Sequence, residues 1–555
     1  MKFNIKKNGI ITFAFATAMS LSSCVGDLDV TPIDPNLDTP ENVLTGIEQY
    51  NQLLAKCYSA LSVSSPDGDS GSPDISGIDG GFGQYLRALF YMQELPTDEC
   101  VIGWNDQTLK DLHGLQWTSS DVFVSAMYSR LFYQISLCNE VMRQIGKASN
   151  ANDPTMQQYR AEARALRGLS YLHAIDMFGN VPFIDENSEV GGADPQQINR
   201  ADLFEWLVKD MEECAEQLPA NPEQYRAGKG LVYMILAKLY LNAGIYTGTP
   251  NYQKCAEYCQ KIIDLGYKLE SRNDYFKMFG ADNDKYLGVG HEIIFSVYQD
   301  HINTQAYGGT SFIINAATGG TMAYYDMGLG GNGWGGIRLT PEFVDKFAAA
   351  DQRAAFYVDG QTKEIVDIGD FYSGYAFMKF TNLKADGNLI NGSKLSDVRP
   401  VAEAVAADAT DKEAAAKLTE LLKGVNSFPD TDFPVFRLAD VYLMLAECQV
   451  VGGVSGANGI ARFNEVRNRA GVSSIASPSK QDIIDERGRE LAWECHRRSD
   501  LIRFNLFTSS EYIWAHKGMN SNIGTPHGVD NKYNLFPLAS SDVMSNMNLK
   551  QNPGY

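Results

Sequence analysis

The sequence predicts a mainly α-helical fold, in which a frame of paired helices carries a large, irregular, loop-rich insertion. Three observations support this prediction. Apolar residues recur at helical spacing over separate blocks of the chain, and the stretch between those blocks is rich in glycine and lacks that periodicity. Hydrophobic residues make up 44% of the chain, which is typical of a globular protein. We therefore expect a single large domain over residues 41–555.

The helical blocks of this frame cover mainly residues 41–63, 121–265 and 433–506. In the second block, Asp121 is a candidate N-cap and Thr155–Phe178 has the clearest helical pattern. In the third block, Lys480–Arg503 reads as one helix. Its acidic and arginine residues recur at helical spacing, which favours structural ion pairs over a polyanion-binding patch.

One helical pair resembles a repeat unit. The segment AKLYLNAGIYTGTPNYQKCAEYCQKIIDLGY has small residues where paired helices would approach closely and tyrosines that would fill the groove between them. This pattern resembles a tetratricopeptide unit, and an ordinary helical hairpin is the alternative.

The first 23 residues have the order of a bacterial lipoprotein signal. A basic head precedes an apolar run at Gly9–Met19, and Leu21-Ser22-Ser23-Cys24 follows. The apolar run is about half of the roughly 20 residues that a transmembrane helix needs, so a plain anchor helix is the weaker reading. We expect cleavage before Cys24 and lipid attachment to its thiol. Residues 24–40 are rich in Pro and Asp, as in a flexible tether.

Charge and cysteine usage exclude several classes of function. The net charge of −21 repels nucleic acid and favours a neutral or cationic partner. The cysteines other than Cys24 are scattered, without a CxxC pair or a Cys/His ligand spacing, so a zinc site is not expected. We expect them to be small buried residues.

The loop-rich regions, residues 64–120 and 270–432, contain the candidate ligand face. Glu94–Trp117 combines Trp104 with many short polar side chains, and Tyr307–Gly336 combines aromatic residues with many glycines. A sugar ring needs a flat aromatic surface for its C–H face and hydrogen-bonding groups for its hydroxyls. The two stretches are therefore predicted to be the halves of a carbohydrate-binding face. The glycine content of Gly308–Gly336 predicts that this stretch forms no helix.

Several motifs resemble the SusD/RagB family. They are the signal motif ending at Cys24, RALRGLSYLHAIDMFGNVP at Arg164–Pro182, FPVFRLADVYLMLAE at Phe433–Glu447 and the terminus QNPGY. Three more, ELPTDEC, YGGTSF and PDTDFPVFRLA, are similar to starch-binding members of the family. The resemblance implies a SusD-like frame of tetratricopeptide-type helix pairs. It also implies a non-catalytic lipoprotein of the outer membrane, facing the cell exterior, that binds starch or maltooligosaccharides and delivers them to a SusC-like TonB-dependent transporter.

The resemblance also assigns residues to the ligand face. An arc of stacking rings falls on Trp104, Tyr307 and Trp334, and its polar partners fall on Asp79, Arg87 and Gln107. Ile102 stands where the starch-binding relatives have a further Trp. We expect Tyr324 and Tyr325, taken one at a time, to be packing residues.

The resemblance implies a calcium site on Asp284, Asp430 and Asp432 as well, with no cofactor required. Carboxylates are ligands that calcium prefers. From spacing alone, the favoured interpretation of these aspartates is that they form turns.

Three other functions stay open at this stage. The same face could bind another glycan. A glycoside hydrolase would use two carboxylates, and Asp79, Asp98, Glu99 and Asp106 are available, although nothing in the sequence marks a pair with a raised pKa. A tetratricopeptide-type adaptor for peptides would leave the glycine-aromatic loop unexplained. The GxGxxG pattern at 328–333 lacks a preceding strand and a following helix, so nucleotide binding is not expected.

Overall fold

The computed structural model describes residues 43–69, 71–519 and 527–555. The chain divides into two compact units, Met1–Tyr50 and Asn51–Tyr555. Of the first unit, only residues 43–50 are described, and they include the first turn of the first helix. The predicted signal (1–23) and tether (24–40), with the lipidation site Cys24, lie outside the described residues. The account below concerns the second unit.

Helices dominate the described residues, and the strands are short. The helices are α1 (Ile47–Ser62), α2 (Tyr85–Gln93), α3 (Gln107–His113), α4 (Val122–Lys147), α5 (Pro154–Met177), α6 (Arg200–Gln217), α7 (Lys229–Leu241), α8 (Ala243–Thr247), α9 (Tyr252–Asp264), α10 (Gly309–Ala317), α11 (Pro341–Val344), α12 (Leu395–Ala407), α13 (Lys412–Leu421), α14 (Leu438–Val450), α15 (Gly459–Arg469), α16 (Lys480–Leu491), α17 (Arg497–Arg503) and α18 (Ser540–Ser545). The strands are β1 (Cys100–Ile102), β2 (Val181–Pro182), β3 (Gln197–Ile198), β4 (Ile293–Val297), β5 (Ile337–Leu339), β6 (Phe356–Tyr357), β7 (Ala376–Phe377) and β8 (Phe433–Arg437).

Local sequence signals set the ends of the long helices. Asp121 caps α4, because its carboxylate accepts the backbone N–H groups of Phe123 and Val124 at 2.9 and 3.0 Å. Asp153 caps α5 in the same way, and Pro154 stands at the first helical position, where no N–H is needed. Gly179 follows α5 with a φ of +70°, a conformation that glycine adopts at little cost.

Consecutive helices pack side by side and form one frame. Helix α4 packs on α5, α5 on α6 and α6 on α7, and α9 contacts both α7 and α14. The late helical block therefore joins the early one through α9. Strands β4 and β8 pair antiparallel, so the insertion leaves and re-enters the frame at one place. The mainly helical fold class is confirmed, while the tetratricopeptide character of the pairs stays a prediction.

The segment predicted as one helix over Lys480–Arg503 is instead two helices, α16 and α17. Trp493 and Cys495, between them, have φ values of +62° and +64°, which a continuous helix cannot contain. The carboxylates of Glu99 and Glu94 accept the backbone N–H groups of Trp493 and His496, each at 3.0 Å. Side chains from a distant part of the chain thus hold this turn, which local periodicity could not reveal.

The arginines of α16 and α17 form buried ion pairs. Arg497 pairs with Asp98 at 2.7 Å, and Arg487 pairs with Asp440 and Asp500 at 2.9 and 2.7 Å. The two guanidinium groups are fully buried. The prediction of structural ion pairs in this segment, rather than a polyanion patch, is confirmed.

The insertion has a small core of its own. Tyr325 is buried in a cluster with Leu389, Val398 and Val425, and Tyr324 packs against that cluster. Both tyrosines are therefore packing residues, as predicted. The charged, alanine-rich stretch next to them forms α12 and α13. Asp411 is the N-cap of α13.

Candidate functional site

A short antiparallel ladder joins the two predicted halves of the ligand face. Strand β1 pairs with β5, with Cys100 opposite Leu339 and Ile102 opposite Ile337. Trp104 follows β1 by two residues, and Trp334 precedes β5 by three. Antiparallel pairing therefore places the two tryptophans at the same end of the ladder. The N–H of Gly103 extends the pairing by donating to the carbonyl of Gly336 at 2.9 Å.

The three predicted stacking rings lie together. The ring centroids of Trp104 and Trp334 are 6.5 Å apart with 46° between their planes, and those of Tyr307 and Trp334 are 5.9 Å apart at 62°. Tyr307 is 38% exposed, and both tryptophans are half-buried. The planes of neighbouring rings are inclined to one another, so the three rings do not form one flat surface.

Arg87, on α2, lies beneath this arc. Its guanidinium carbon is 5.5 Å from the Trp104 ring centroid and 5.9 Å from that of Trp334. Its Nη1 donates to the carbonyl oxygen of Tyr307 at 2.9 Å, and its Nε donates to the hydroxyl of Tyr91 at 2.9 Å. One fixed cation thus touches all three arc residues and stabilises their arrangement.

Asp79 lies near Arg87 at the edge of the arc. Its Oδ1 accepts the backbone N–H groups of Gly81 and Phe82 at 2.8 and 3.0 Å. A Cβ on Gly81 would lie 3.1 Å from that oxygen, 3.7 Å from the Tyr307 Cβ and 3.8 Å from the Arg87 Nη1. The exposed carboxylate of Asp79 therefore lies beside the arginine and the tyrosine, as the predicted polar edge requires.

Gln107 is placed differently from the other predicted polar residues. It begins α3, is exposed, and its amide donates to Asp111 on the same helix at 2.8 Å. Ile102, the last residue of β1, is fully buried. This position, where the resemblance implies a further Trp, therefore offers no ring to a ligand here. The role of Gln107 stays a prediction.

The prediction that Gly308–Gly336 forms no helix is wrong. Residues Gly309–Ala317 form α10, all of them buried. Gly308–Gly309 and Gly319–Gly320 flank a run without glycine. TSFIINAA, within that run, belongs to an apolar helix that packs on α2 and β5. The loop after α10 is pinned to its end, because the N–H of Trp334 donates to the Asn315 carbonyl at 2.7 Å.

Glycine is required where this loop meets Trp104. The indole Nε1 of Trp104 donates to the carbonyl of Gly335 at 2.9 Å, and Gly335 has a φ of +53°. A Cβ on Gly336 would lie only 2.8 Å from Cε2 and 2.9 Å from Nε1 of that indole. The Trp104 indole therefore packs directly against the backbone of residues 335–336, which carry no side chain.

The acidic residues just before β1 are buried. Glu94, Asp98 and Glu99 are each at most 1% exposed. Burial alone would raise the pKa of Asp98, but the Arg497 guanidinium holds it well below its usual range. Burial raises the pKa of both Glu94 and Glu99, and their proximity raises that of Glu94 further.

Glu94 and Glu99 are thus a carboxyl pair with raised pKa values, which nothing in the sequence marked. The pair does not act as a glycosidase acid and base, because both groups are enclosed and bind the turn between α16 and α17. Its role is to anchor the segment that leads to Trp104.

His113 supports the same segment, and sequence reasoning missed it. Its Nε2 accepts the N–H of Ile102 at 2.8 Å, and its Nδ1 lies 3.1 Å from the carbonyl of Leu95. Burial lowers the pKa of His113 to about 4, so the ring is neutral and can accept at one nitrogen while it donates at the other. Only the proximity of β1 to the end of α3 identifies this role.

The structure does not bring the three predicted calcium ligands into one group. Among the described residues, the acidic and histidine side chains whose ligand atoms all lie within 4.8 Å of one another are Asp300, His301 and Asp430. Asp284 is in a 3₁₀ turn at Asn283–Tyr286, while Asp430 and Asp432 precede β8. Asp432 is 2% exposed. Burial raises its pKa to about 7, and the charges of Asp284 and Asp430 contribute to that rise. Among the described residues, neither Lys nor Arg forms an ion pair with any of the three; Asp430 pairs with His301 at 2.6 Å.

Two further expectations concern the whole chain. The described cysteines are free thiols, all buried except the half-buried Cys495, which confirms their prediction as small interior residues. In the part of the chain that is described, no helix combines the length and apolarity that crossing a bilayer demands.

Comparison with known proteins identifies the family. The profile described as "SusD family" matches residues 416–555, and the profile described as "Starch-binding associating with outer membrane" matches residues 91–241. The Starch-binding protein SusD of Bacteroides thetaiotaomicron is 32% identical over 586 residues, which cover 96% of each chain. The SusD-like protein P2 of Formosa agariphila is 23% identical, over 80% of this chain and 83% of that one.

Solved structures show the same fold. A SusD superfamily protein from Parabacteroides distasonis superposes with a TM-score of 0.66 at 19% identity, over 92% of this chain and 99% of that one. Surface glycan-binding protein A from Bacteroides thetaiotaomicron, in complex with laminarihexaose, gives a TM-score of 0.65 at 18% identity, over 91% of this chain and 99% of that one. SusD family proteins bind carbohydrate without catalysis, in agreement with the prediction that this chain is not an enzyme. By its similarity over almost its whole length, the chain belongs to the SusD family of glycan-binding proteins associated with the outer membrane.

Proposed function

We propose that this protein binds starch or maltooligosaccharides on the arc of Trp104, Tyr307 and Trp334, with Arg87 and Asp79 as polar partners. The observation that carries the proposal is the grouping of three mutually inclined rings around Arg87, which contacts the rings of Trp104 and Trp334 and the backbone carbonyl of Tyr307. Rings arranged in this way offer successive sugar units a stacking surface that bends with the chain. Similarity to the Starch-binding protein SusD supports an α-glucan as the ligand.

Another glycan is the second candidate ligand for the same arc. Surface glycan-binding protein A, which shares the fold, is in complex with laminarihexaose. Aromatic stacking by itself does not distinguish an α-linked from a β-linked glucan, because both present C–H faces. The choice between them therefore depends on the curvature of the arc and on the placement of Arg87 and Asp79.

The proposal extends to the cell surface. Lipid on Cys24 would anchor the protein to the outer membrane, and the tether of residues 24–40 would give the domain reach. A SusC-like TonB-dependent transporter would receive the bound glycan. These elements are supported by the signal motif in the sequence and by the family profile associated with the outer membrane.

Asp284, Asp430 and Asp432 remain the proposed ligands for calcium. Three carboxylates are hard oxygen ligands, and Asp432 is buried among like charges without a basic partner among the described residues. A divalent cation would offset that repulsion. The ion would be structural, because Asp432 also accepts the N–H of Gln299 at 2.8 Å, just beyond β4, and so links the two ends of the insertion.

Isothermal titration tests the main proposal. Wild-type protein and Trp334→Ala are titrated with maltoheptaose, cellohexaose and laminarihexaose. We expect maltoheptaose to bind the wild type and to bind the variant about ten-fold or more weakly, if each stacked ring contributes about 1–3 kcal/mol, as aromatic stacking on bases does.

The other outcomes are equally informative. If Trp334→Ala binds maltoheptaose as tightly as wild type does, the binding site lies elsewhere than the arc. Binding of laminarihexaose or cellohexaose alone would keep the arc and reject the α-glucan. If wild-type protein binds none of the three glycans, both the α-glucan and the β-linked glucan are rejected as ligands.

A further inference from the structure

An exposed aromatic ring outside the arc has no assigned role. Tyr372 is 48% exposed, and within the described part of the chain its ring makes no ring–ring or cation–π contact and its hydroxyl makes no hydrogen bond. It lies in the segment 366–373, within the loop that joins β6 to β7. Residues Asp367, Ile368 and Gly369 of this segment line a pocket of about 440 Å³ together with Gly103 and Asn105, the two neighbours of Trp104.

A buried arginine fixes this segment to the site. The two terminal nitrogens of Arg338 donate to the carbonyl oxygens of Ile368 and Asp370, and Arg338 lies in β5, the strand that follows Trp334. The Asp370 carboxylate in turn accepts the N–H of Tyr372 at 3.0 Å. On the other side, the N–H of Thr362 donates to the Tyr372 carbonyl at 2.9 Å. The backbone of Tyr372 is thus held by Asp370 and Thr362, and Arg338 of β5 fixes the residues just before it.

Glycine backbone and the ring of Phe371 connect Tyr372 to the arc. A Cβ on Gly320 would lie 3.4 Å from Cε1 of Tyr372, and a Cβ on Gly319 would lie 2.8 Å from Cα of Gly335, which directly follows Trp334. The half-buried Phe371 ring packs on the same glycines, because a Cβ on Gly319 or Gly320 would lie 3.3 Å from it. A glycan that leaves the Trp334 ring in this direction therefore passes glycine backbone and the Phe371 ring before it reaches the Tyr372 ring.

We propose that Tyr372 is an additional stacking platform, which extends the glycan face beyond Trp334 and gives the protein a preference for longer chains. The inference rests on the proposed glycan-binding function of the arc. Tyrosine suits such a platform because its flat, amphipathic ring loses little conformational entropy on binding. Its backbone is already fixed by Asp370 and Thr362, so the ring needs little ordering when a sugar arrives.

The test compares a short and a long ligand. The full chain, purified in a detergent without a sugar headgroup, is titrated with maltotriose and with maltoheptaose. Four proteins are compared: wild type, Tyr372→Ala, Tyr372→Phe and Val366→Ala. Val366 is 88% exposed in the same segment, so its variant removes an exposed apolar side chain without removing a ring. Thermal unfolding of all four checks that they are folded.

We expect Tyr372→Ala to bind maltoheptaose about ten-fold more weakly than wild type and to bind maltotriose with unchanged affinity, because a short ligand is held by the arc alone. Tyr372→Phe and Val366→Ala should bind both ligands as wild type does. Equal weakening for both ligands, or no change for either, would overturn the inference while the proposed function stands. If wild-type protein binds neither ligand, the α-glucan function itself fails, and the inference fails with it.

Discussion

A single methyl group on Gly336 should displace Trp104 and weaken glycan binding. In Gly336→Ala the new Cβ would lie 2.8 Å from Cε2 and 2.9 Å from Nε1 of the indole, roughly 1 Å closer than the contact distance between non-bonded carbons. Gly336 is buried, and the N–H of Gly103 donates to its carbonyl, so the backbone cannot move aside easily. The half-buried indole is the group that yields.

The cost follows from what the indole loses. Its hydrogen bond to the Gly335 carbonyl, 2.9 Å long, contributes about 0.5–1.5 kcal/mol. Misplacement of the ring also removes part of a stacking contribution of about 1–3 kcal/mol. We therefore expect glycan affinity to fall by about 1–2 kcal/mol, roughly five- to thirty-fold. The fold should persist, because the change lies at the surface end of the β1–β5 ladder.

The matched control is Gly331→Ala in the same loop. Its Cβ would lie 3.8 Å from the Ser427 hydroxyl, an ordinary contact, so affinity should be unchanged. Isothermal titration with maltoheptaose measures both variants beside wild type. Wild-type affinity in Gly336→Ala would refute the reasoning that Trp104 must be seated on this backbone. Equal losses in both variants would show that loop flexibility, and not the position of the indole, controls binding.

Three further predictions concern stability. His113 has a pKa of about 4 in the folded protein against an ordinary 6.5, so the unfolded chain binds more protons between these values and stability falls as pH falls. Between pH 7 and pH 5 the wild type should therefore lose about 2 kcal/mol of its free energy of unfolding that His113→Asn does not lose. Urea unfolding at both pH values measures this; a difference between the two proteins that does not change with pH would contradict the assigned burial. Calcium should raise the Tm by a few degrees over EDTA-treated protein, and Asp432→Asn should abolish that rise; a shift that survives would place any ion elsewhere. Asp98→Asn leaves the buried Arg497 without its carboxylate and should cost about 3–5 kcal/mol, whereas Glu257→Gln, in an exposed pair, should cost less than about 1 kcal/mol; equal costs in urea unfolding would refute the difference in burial.

Local patterns in the sequence predicted much of the frame. Helix α4 begins at the Asp121 cap that the sequence predicted, and the apolar spacing of α4 and α5 marks the faces that pack. Capping, helical periodicity and glycine punctuation act over a few residues, so they can be read without knowing the fold. The choice of Trp104, Tyr307 and Trp334 depended on family resemblance, because stacking rings and packing rings look alike in a sequence.

The arrangement of the site was decided by tertiary structure. The β1–β5 pairing joins segments more than two hundred residues apart, and Arg87, on α2, contacts the rings of Trp104 and Trp334 and the backbone carbonyl of Tyr307. The turn at Trp493 breaks a periodic helix because buried carboxyls from residues 94 and 99 bind its N–H groups. The sequence by itself determined which segments become helices and which residue types are available to a sugar. Only the fold decided which of those residues meet, because long-range pairing and burial depend on contacts that no local pattern encodes.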